Sequence, residues 1–457
     1  MIPICTPEEI RRLDVGAPVP IDELVSRSGL AVARAALEML GGAYGRRVNV
    51  IAGPGNNGAD ARDAAARLQR RGARVRVFEL ADLPRRLPDG DLVVDGALGT
   101  GFTAGEREVT LPRVSGTRVL AVDLPSGLDA TTGDASPATL KADVTCVLAA
   151  LKPGLLLGRG PELAGRLRLA DIGLDAWTVA RAAEVRDEDL ARWLPERPRY
   201  THKWDRALMI LAGSPGMLGA ASLAARGAQR AGAGLVRVGV PGLDDADLPA
   251  LGEALSFSLP DASWADRALA EIDRFRAAVI GPGLGRSEGT AAAIRRFVSL
   301  CPCPLVVDAD AITALGHDAP KVLSARKAPT LITPHDGEVA RLGSEPAAAD
   351  RFEEARRLAD ALSATVLWKG PTTVVAGGEL ALATCTRDSR LATAGTGDVL
   401  AGVAGAFMAR GLPPDRAGAA AARASIGAAS VRPGPGLVAG DLISGLSRFL
   451  ANVGAPA

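Results

Sequence analysis

LATAGTGDVL, residues 391–400, is the stretch that decides the fold and chemistry of the C-terminal half. Gly395 and Gly397 let successive backbone N–H groups turn toward one point, and the small-residue run Val399–Ala409 predicts a helix beginning there. Such a turn at a helix N-terminus suits the negative charge that develops during phosphoryl transfer. Asp398 stands where it can take a proton from an attacking hydroxyl, or where it is only an ordinary first-turn acid.

Short β-branched runs alternate with helical stretches around this turn, which predicts a parallel sheet covered by helices. In the C-terminal half a further helix is predicted over Ala221–Ala231, and a hairpin around Gly377 and Gly378. The predicted strands of this half are Arg206–Ala212, Leu235–Val240, Ala277–Ile280, Leu305–Asp308, Thr330–Ile332, Thr365–Trp368, Thr372–Ala376 and Glu379–Ala383.

The N-terminal half shows the same alternation, with a crossover helix predicted over Ala59–Arg71. Between the halves, Arg186–Asp205 is rich in charge and proline and has no strand pattern. We therefore expect two α/β domains, residues 1–200 and 201–457. The predicted N-terminal strands are Arg47–Ala52, Arg74–Leu80, Asp91–Asp95, Arg118–Asp123 and Asp143–Ala149.

Composition excludes several classes of partner. The 457 residues carry 53 basic and 52 acidic side chains, a formal charge of +1, which gives no reason to expect nucleic acid. The N-terminus lacks the apolar run of a secretory signal, and stretches such as Val144–Leu151 are too short to span a membrane. A single C-x-C at Cys301 and Cys303 favours reduced thiols over a structural zinc site. We expect a cytoplasmic enzyme and a homo-oligomer, with no nucleic acid and no membrane as partners.

A glycine-rich loop, Gly53–Gly58, follows the first N-terminal strand and matches G-x-G-x-x-G. With Glu79 ending the next strand, this pattern is typical of a nicotinamide dehydrogenase. The amide oxygens of Asn56 and Asn57, followed by Asp60, instead suit a polar ligand or a hard cation. A plain turn in which an asparagine caps the helix stays open as well.

Two acids close the following strands, Asp95 after DLVV and Asp123 after RVLAV. Because the carboxyl ends of parallel strands line one crevice, Asn57, Asp95 and Asp123 are expected to converge. Each carboxylate can be a base, a metal ligand or an N-cap, and their succession at strand ends favours a site.

Four motifs then carry a family resemblance. In order, GPGNNGAD (53–60), VDGALGTGF (94–102), AVDLPSGLDATTG (121–133) and ALKPG (150–154) resemble the NAD(P)H-hydrate epimerase (YjeF N-terminal) family over residues 8–175. The resemblance implies a Rossmann-like three-layer sandwich that interconverts the R and S forms of hydrated NAD(P)H. It implies that Asp123 handles the C6 hydroxyl as acid and base.

The same resemblance implies a potassium ion held by Asn57, Asp95 and Ser126. The dinucleotide contacts that it implies are Asn56, Asn57, Gly58, Ala59, Asp60, Gly99, Thr100, Gly101, Phe102, Thr103, Ala104, Gly105 and Asp123.

One departure from the epimerase pattern falls inside the loop. The family usually reads NNGGDG, whereas this chain has Ala59 and Ala61. Two added methyl groups are expected to crowd a place where backbone approaches ligand and where the φ and ψ angles can be unusual. A non-catalytic N-terminal binding module therefore stays open as an alternative.

The C-terminal half offers polar loops at further strand ends. Lys369–Thr373 supplies a point charge and hydroxyls, as nucleotide phosphates require. His335 lies in a loop after a strand, Gly281–Gly285 forms another glycine loop, and Asp308 ends a further strand.

LAGSPGMLGAASLAARGAQRAGAGLV (211–236), VIGPGLG (279–285), VVDADAITAL (306–315), LITPHDGEVARL (331–342) and LATAGTGDVLAG (391–402) together resemble the ADP-dependent NAD(P)H-hydrate dehydratases, of ribokinase-like fold. The resemblance covers nearly all of 203–450. It implies that the ring hydroxyl of the S form is phosphorylated by ADP, with magnesium bridging the donor phosphates, and that phosphate is then eliminated. AMP and phosphate are released, and NAD(P)H is restored.

The residues that the resemblance places on the hydrated nicotinamide are Ala220, Gly283, His335 and Asp398; those on ADP are Lys369, Gly370, Pro371, Thr372, Thr373 and Gly397. Departures are mild: Asp336 stands where the family often has proline, and Ala394 where it often has glycine. A vitamin or sugar-alcohol kinase that uses ATP stays open as a different function of the same turn.

Overall fold

The structure is a computed structural model and describes residues 1–105, 110–244, 248, 251–259, 263–343 and 350–455. It divides into two compact units, of which the first is Ile2–Ala182 and the second begins at Ala183. The division thus precedes the expected boundary at residue 200. The reason lies in the hydrogen bonds of the intervening segment: the Val185 N–H donates to the Ala383 carbonyl at 2.9 Å, so this stretch joins the second sheet.

The first unit is built around a wholly parallel sheet, in the order β3-β2-β4-β5-β6-β7 among the described residues. The strands of this sheet are β2 (Arg47–Ala52), β3 (Arg74–Glu79), β4 (Leu92–Gly96), β5 (Arg118–Val122), β6 (Val144–Leu148) and β7 (Arg166–Ala170); the unit also contains β1 (Ile2–Ile4), which is not part of it. Its helices are α1 (Pro7–Val15), α2 (Ile21–Leu40), α3 (Asn56–Arg70), α4 (Pro153–Leu156) and α5 (Gly160–Leu163).

Apolar side chains on both faces explain why the first sheet reads as continuous apolar runs. One face packs against α2 and α3 around residues such as Val32 and Leu68. The other face is covered by segments around Leu87, Phe102 and Leu140. The carboxyl ends of β2, β4, β5 and β6 therefore open at one edge of this sheet.

The second unit has a larger sheet in the order β8-β17-β16-β15-β14-β13-β12-β9-β10-β11. Its strands are β8 (Ala182–Glu184), β9 (Ala207–Leu211), β10 (Leu235–Pro241), β11 (Leu255–Leu259), β12 (Ala277–Ile280), β13 (Leu305–Val307), β14 (Thr330–Ile332), β15 (Thr365–Trp368), β16 (Thr372–Ala376) and β17 (Ala381–Cys385). From β11 to β15 the pairing is parallel, and the β16–β17 hairpin adds antiparallel strands.

The helices of the second unit are α6 (Asp187–Trp193), α7 (Leu218–Arg230), α8 (Trp264–Glu271), α9 (Glu288–Leu300), α10 (Asp310–Leu315), α11 (Ala319–Ser324), α12 (Asp336–Arg341), α13 (Arg351–Leu362), α14 (Thr396–Ala409), α15 (Pro414–Ser430) and α16 (Ala439–Asn452). No described helix combines the length and apolar character of a membrane span. The five cysteines are all free thiols.

The predicted α/β class with parallel sheets is confirmed, and several strands, including Ala277–Ile280 and Thr365–Trp368, have the predicted bounds. The differences from prediction lie at the ends of helices and strands and at the edge of a sheet. Helix α3 begins at Asn56 and not at Ala59, and β17 lies two positions later than the predicted strand. The long helix α2 and the edge strand β7 were not predicted.

Helices α7 and α14 approach closely because both present small residues at their contact. A Cβ placed on Gly402 of α14 would lie 2.0 Å from the carbonyl oxygen of Ala224 in α7. This contact positions the N-terminus of α14, where the glycine turn lies.

We expect Gly402→Ala to lower the free energy of unfolding of the second unit by about 1–3 kcal/mol, because overpacking forces the two helices apart. Gly440→Ala is the matched control, since its added Cβ would meet nothing within 4 Å in α16. Thermal and urea unfolding of both variants measures the difference. Equal stability of the two variants would contradict the close helix contact.

Candidate active sites

A pocket of about 90 Å³ lies at the carboxyl edge of the first sheet. It brings together most of the polar residues that were expected to converge there. Its polar lining comprises Asp14, Ser28, Asn56, Asn57, Asp60, Thr100, Asp123 and Lys152. Apolar side chains of α1 and α2, such as Leu13 and Leu24, complete the wall.

Asp123 is held in a left-handed backbone conformation, with φ at 65°, directly after β5. One carboxylate oxygen, Oδ1, accepts a hydrogen bond from the Leu148 N–H at 2.9 Å and another from Lys152 Nζ. The Lys152 ammonium also donates to the carbonyls of Leu148 and Ala150, each at 3.0 Å, and its residue is only 1% exposed. The Asp123 carboxyl group thus lies directly against a buried ammonium.

Asp60 and Asp14 face the same pocket without a comparable cation contact. Burial raises the pKa of Asp60 to about 8, with Asp123 and then Asp14 as further causes. Burial likewise raises the pKa of Asp14. Sequence reasoning did not find Asp14 or Lys152 as pocket residues; only the ALKPG motif marked the lysine.

Asn57, Asp95 and Ser126, the predicted potassium ligands, form one hydrogen-bonded group. Asp95 Oδ2 accepts from the Ser126 N–H at 2.9 Å, and Asn57 Nδ2 donates to the carbonyls of Leu98 at 3.0 Å and Val122 at 2.7 Å. The Ser126 hydroxyl lies against the same Leu98 peptide, accepting from its N–H at 2.8 Å. Burial raises the pKa of Asp95. No group of three or more histidine, cysteine or acidic side chains arranged for a metal occurs among the described residues.

The unusual backbone angles expected at Ala59 and Ala61 are not found. Both residues lie inside α3, and neither is among the non-glycine residues with positive φ, so their methyl groups cause no backbone strain. The glycine that the loop does require is Gly58, because a Cβ there would lie 1.9 Å from the Gly53 carbonyl oxygen.

The predicted dinucleotide segment 99–105 only partly reaches the pocket. Thr100 lines it, and Gly99 lies against Asn57, since a Cβ on Gly99 would be 2.8 Å from Asn57 Oδ1. Phe102 is buried in the core, and the Ala104 N–H donates to Asp129 Oδ2 at 3.1 Å. The structure does not place Gly101, Thr103 or Gly105 on the pocket wall.

In the second unit, the glycine turn opens α14 as predicted. Gly395 takes the left-handed conformation with φ at 87°, and the Thr396 hydroxyl closes the turn by donating to the carbonyls of Leu391 at 3.0 Å and Thr393 at 2.9 Å. Burial, with Asp308 as the next cause, raises the pKa of Asp398 to about 6. A carboxyl group of that pKa can serve as a general base near neutral pH.

Lys369 lies at the centre of a buried charge cluster beside this turn. Its Nζ donates to Asp308 Oδ1 at 2.8 Å and lies 3.8 Å from Glu338 Oε2, and the Thr333 hydroxyl also donates to Asp308 Oδ1, at 2.6 Å. Burial disfavours the ammonium, but the two carboxylates outweigh it, and the pKa of Lys369 lies above its ordinary value. Nζ lies 3.8 Å from where a Cβ on Gly397 would be, which places a fixed positive charge at the α14 N-terminus.

A second pocket, of about 630 Å³, extends from this cluster. It contains the predicted nucleotide residues Lys369, Gly370, Pro371, Thr373 and Gly397. Thr372 is the exception: it is buried in β16 and does not line the pocket. Four further wall residues, Leu391, Ala392, Thr396 and Leu400, belong to the 391–400 stretch that holds the predicted glycine turn. Wall residues that sequence reasoning missed are Thr386, Arg387, Asp388, Ser389, Ala422, Ser425, Ile426 and Leu442.

The remaining predicted substrate residues lie in two places. His335 lines the large pocket, where its Nδ1 accepts from the Gly337 N–H at 3.0 Å and caps α12. Ala220 and Gly283 lie side by side, since a Cβ on Gly283 would be 2.9 Å from that of Ala220. Asp310 ties their loop to the charge cluster, because its Oδ2 accepts from the Gly285 N–H at 2.9 Å.

Asp336, the departure from the usual proline, has a structural role in the second unit. Its Oδ1 accepts hydrogen bonds from Trp368 Nε1 at 2.6 Å and from Arg351 at 3.2 Å. The Arg351 guanidinium lies over the Trp368 ring, 4.5 Å from its centroid. These contacts hold the loop that carries His335.

Comparison with known proteins identifies both units. A family model described as NAD(P)H-hydrate dehydratase matches residues 208–436, and one described as YjeF-related protein N-terminus matches residues 21–89 and 79–154. A bifunctional NAD(P)H-hydrate repair enzyme of Salinibacter ruber is 35% identical, over 95% of this chain and 92% of its own length. One from Mycobacterium tuberculosis is 39% identical, over 88% of each chain. The chain belongs to the family of bifunctional NAD(P)H-hydrate repair enzymes.

Solved structures agree with the family of bifunctional NAD(P)H-hydrate repair enzymes. An ADP/ATP-dependent NAD(P)H-hydrate dehydratase from Bacillus subtilis, co-crystallised with ATP and Mg²⁺, is 29% identical with a TM-score of 0.51, covering 59% of this chain and 97% of that one. A ribokinase-like protein from Enterococcus faecalis, at 20% identity, has a TM-score of 0.53 over 60% of this chain and 97% of its own, which supports the ribokinase-like fold.

We expect Lys152→Met to lower the free energy of unfolding of the first unit by about 3–5 kcal/mol, because it leaves Asp123 buried without its cation. Lys141→Met, at an exposed lysine of the same unit, is the control and should change stability by no more than about 0.5 kcal/mol. Differential scanning calorimetry distinguishes the two variants. A comparable loss of unfolding free energy in both variants would show that the Lys152–Asp123 pair does not stabilise the carboxyl edge of the first sheet.

Proposed function

We propose that the chain repairs hydrated NAD(P)H by two activities: the first unit epimerises the R and S forms, and the second dehydrates the S form at the expense of ADP. The observation that carries the proposal is the pairing of two sites in one chain. One is a glycine turn at the N-terminus of α14 with Asp398 beside the Lys369 cluster. The other is a pocket at the sheet edge with Asp123 held by Lys152.

In the dehydration, Asp398 takes the proton of the C6 hydroxyl as its oxygen attacks the β-phosphorus of ADP. The phosphoanhydride bond breaks and AMP leaves. The C6–O bond then breaks with phosphate as the leaving group, C5 loses a proton, and the reduced nicotinamide ring is restored. The N–H groups at the start of α14 and the Lys369 ammonium stabilise the charge on the transferred group.

The large pocket supports a nucleotide as the phosphoryl donor. Its apolar wall, with Leu391, Leu400 and Ile426, suits a flat base, while Lys369 and Gly397 lie at the phosphate end. Magnesium fits this arrangement without a protein cage, because it is usually held by one or two carboxylates together with the donor phosphates. When bound, it neutralises charge on those phosphates.

In the epimerisation, Asp123 is the acid/base group at C6. The proposed potassium ligands Asn57, Asp95 and Ser126 are chemically suited to a monovalent cation, since each side chain contains an oxygen atom and Asp95 is fully buried. When bound, the ion would supply a positive charge at the carboxyl edge of the sheet, beside the pocket.

Two alternatives are less well supported. Ala59 and Ala61 lie in regular helix, so backbone strain gives no support to a non-catalytic first unit. A vitamin or sugar-alcohol kinase would share the glycine turn, but it would not account for the epimerase-like unit in the same chain.

We expect purified protein with S-form hydrated NADH, magnesium and ADP to regain the near-ultraviolet absorbance of reduced nicotinamide. Below the Asp398 pKa of about 6, the rate should fall as pH falls, because the protonated carboxyl cannot act as a base. Asp398→Asn should lower kcat by about 10²–10⁴-fold. Asp318→Asn, at an exposed acid of the same unit, is the control.

Comparing ADP with ATP in this assay tests the donor. Absence of recovery with either nucleotide would refute the dehydratase proposal.

For the first unit, Asp123→Asn should abolish recovery of the R portion of an R/S mixture and leave recovery of the S portion intact. Asp134→Asn, an exposed acid of the same unit, should behave as the unsubstituted protein. Recovery of the R portion in Asp123→Asn at the unsubstituted rate, after correction for spontaneous epimerisation, would rule out Asp123 as the acid/base group.

A further inference from the structure

Asp60 carries a buried carboxyl group in the pocket of the first unit. It lies in the second turn of α3, is 4% exposed, and lines the same pocket as Asp123. In the part of the chain that the structure describes, no hydrogen bond to its carboxyl group is seen, whereas Asp123 accepts from Leu148 and Lys152. A buried polar group without a protein partner at a pocket wall is available to a ligand.

The charges around Asp60 favour its protonated form. Beyond burial, Asp123 faces it from the end of β5, Asp14 from α1, and Asp63 from its own helix. Lys152 opposes them, but its ammonium is bonded to Asp123. Burial also raises the pKa of the nearby Cys146 thiol to about 12, so that this group stays neutral. Together these causes raise the pKa of Asp60 to about 8, which favours the protonated carboxyl group at neutral pH.

The pocket therefore holds two carboxyl groups in different surroundings. Asp123 accepts a hydrogen bond from a buried ammonium, whereas Asp60 has no such partner among the described residues, and burial with the neighbouring acids favours its protonated form. Environments that separate two carboxyl groups in this way identify an acid and a base. An epimerisation that exchanges the two faces of one carbon requires both.

We propose that Asp60 is a catalytic residue, the acid that acts with Asp123 in epimerisation at C6. This inference rests on the proposed epimerase function of the first unit. Asp60 was expected only as a dinucleotide contact, and here it takes a chemical role.

Epimerisation proceeds by loss and re-addition of water at C6. Asp60 gives its proton to the C6 hydroxyl, the C6–O bond breaks with its electron pair, and water leaves. The ring nitrogen lone pair forms an N1=C6 iminium ion. A water molecule attacks C6 on the opposite face, the iminium electron pair returns to N1, and Asp123 takes the proton of the attacking water. One water leaves and one adds, and the reverse reaction uses the two groups in exchanged roles.

The test compares Asp60→Asn with Asp63→Asn in the full chain, using R/S hydrated NADH, ADP and magnesium. Asp63 is a matched control, because it lies on the same helix and pairs with Arg67 outside the pocket lining. We expect Asp60→Asn to lower kcat for recovery of the R portion by about 10²–10⁴-fold with KM little changed. Asp63→Asn should retain recovery of the R portion, and Asp60→Glu should restore part of the loss.

The pH dependence of the unsubstituted protein is a second measurement that needs no variant. Exchange between the epimers requires one proton on the pair, so the rate should fall as pH rises through about 8. Asp63→Asn removes a negative charge near Asp60 and should move this alkaline limb to lower pH. The residual rate of Asp60→Asn should lack the limb.

The outcomes separate the two claims. If the unsubstituted protein recovers only the S portion, the epimerase function itself fails. If it recovers both and Asp60→Asn raises KM alone, or leaves the rate and its alkaline limb unchanged, Asp60 is only a binding residue and the inference fails. Loss of kcat together with loss of the limb supports it.

Discussion

A lysine buried against an aspartate at the carboxyl ends of parallel strands is the interaction on which both sites depend. In the first unit Lys152 binds Asp123, and in the second Lys369 binds Asp308. Taking such charges out of water costs several kcal/mol per ion, so the pair is poor evidence for added stability. What the pair does is fix the position of a carboxyl group, Asp123 in the wall of the first pocket and Asp308 beside the glycine turn of the second unit.

The neighbouring acids owe their raised pKa values first to burial and then to the carboxyl groups of these pairs. Asp60 and Asp398 each lie near a carboxyl group that is paired with a lysine, but neither is itself hydrogen-bonded to that lysine. Burial, together with the nearby acid, raises the pKa of Asp60 to about 8 and that of Asp398 to about 6. The same arrangement therefore gives an acid in one unit and a base in the other. Which role results depends on how far each group is withdrawn from water.

Close backbone packing is the second constraint. Gly58 and Gly402 each allow an approach that a methyl group would prevent, one at the N-terminal loop and one between α7 and α14. Ala59 and Ala61 differ because they lie in regular helix, where alanine is the preferred residue. A motif whose sequence departs from the usual family pattern can thus still have regular backbone geometry.

The sequence by itself determined the alternation of strands and helices, the acids at strand ends and the glycine turn before Asp398, because these depend on local periodicity and residue type. It also carried the resemblance that the family comparison confirmed. Tertiary structure alone decided that Lys152 and Asp14 join the first pocket, that Thr372 leaves the second, and that Leu391 and Ile426 wall the latter. Those contacts join segments distant along the chain, and burial sets the charge states of their groups, so no local pattern encodes them.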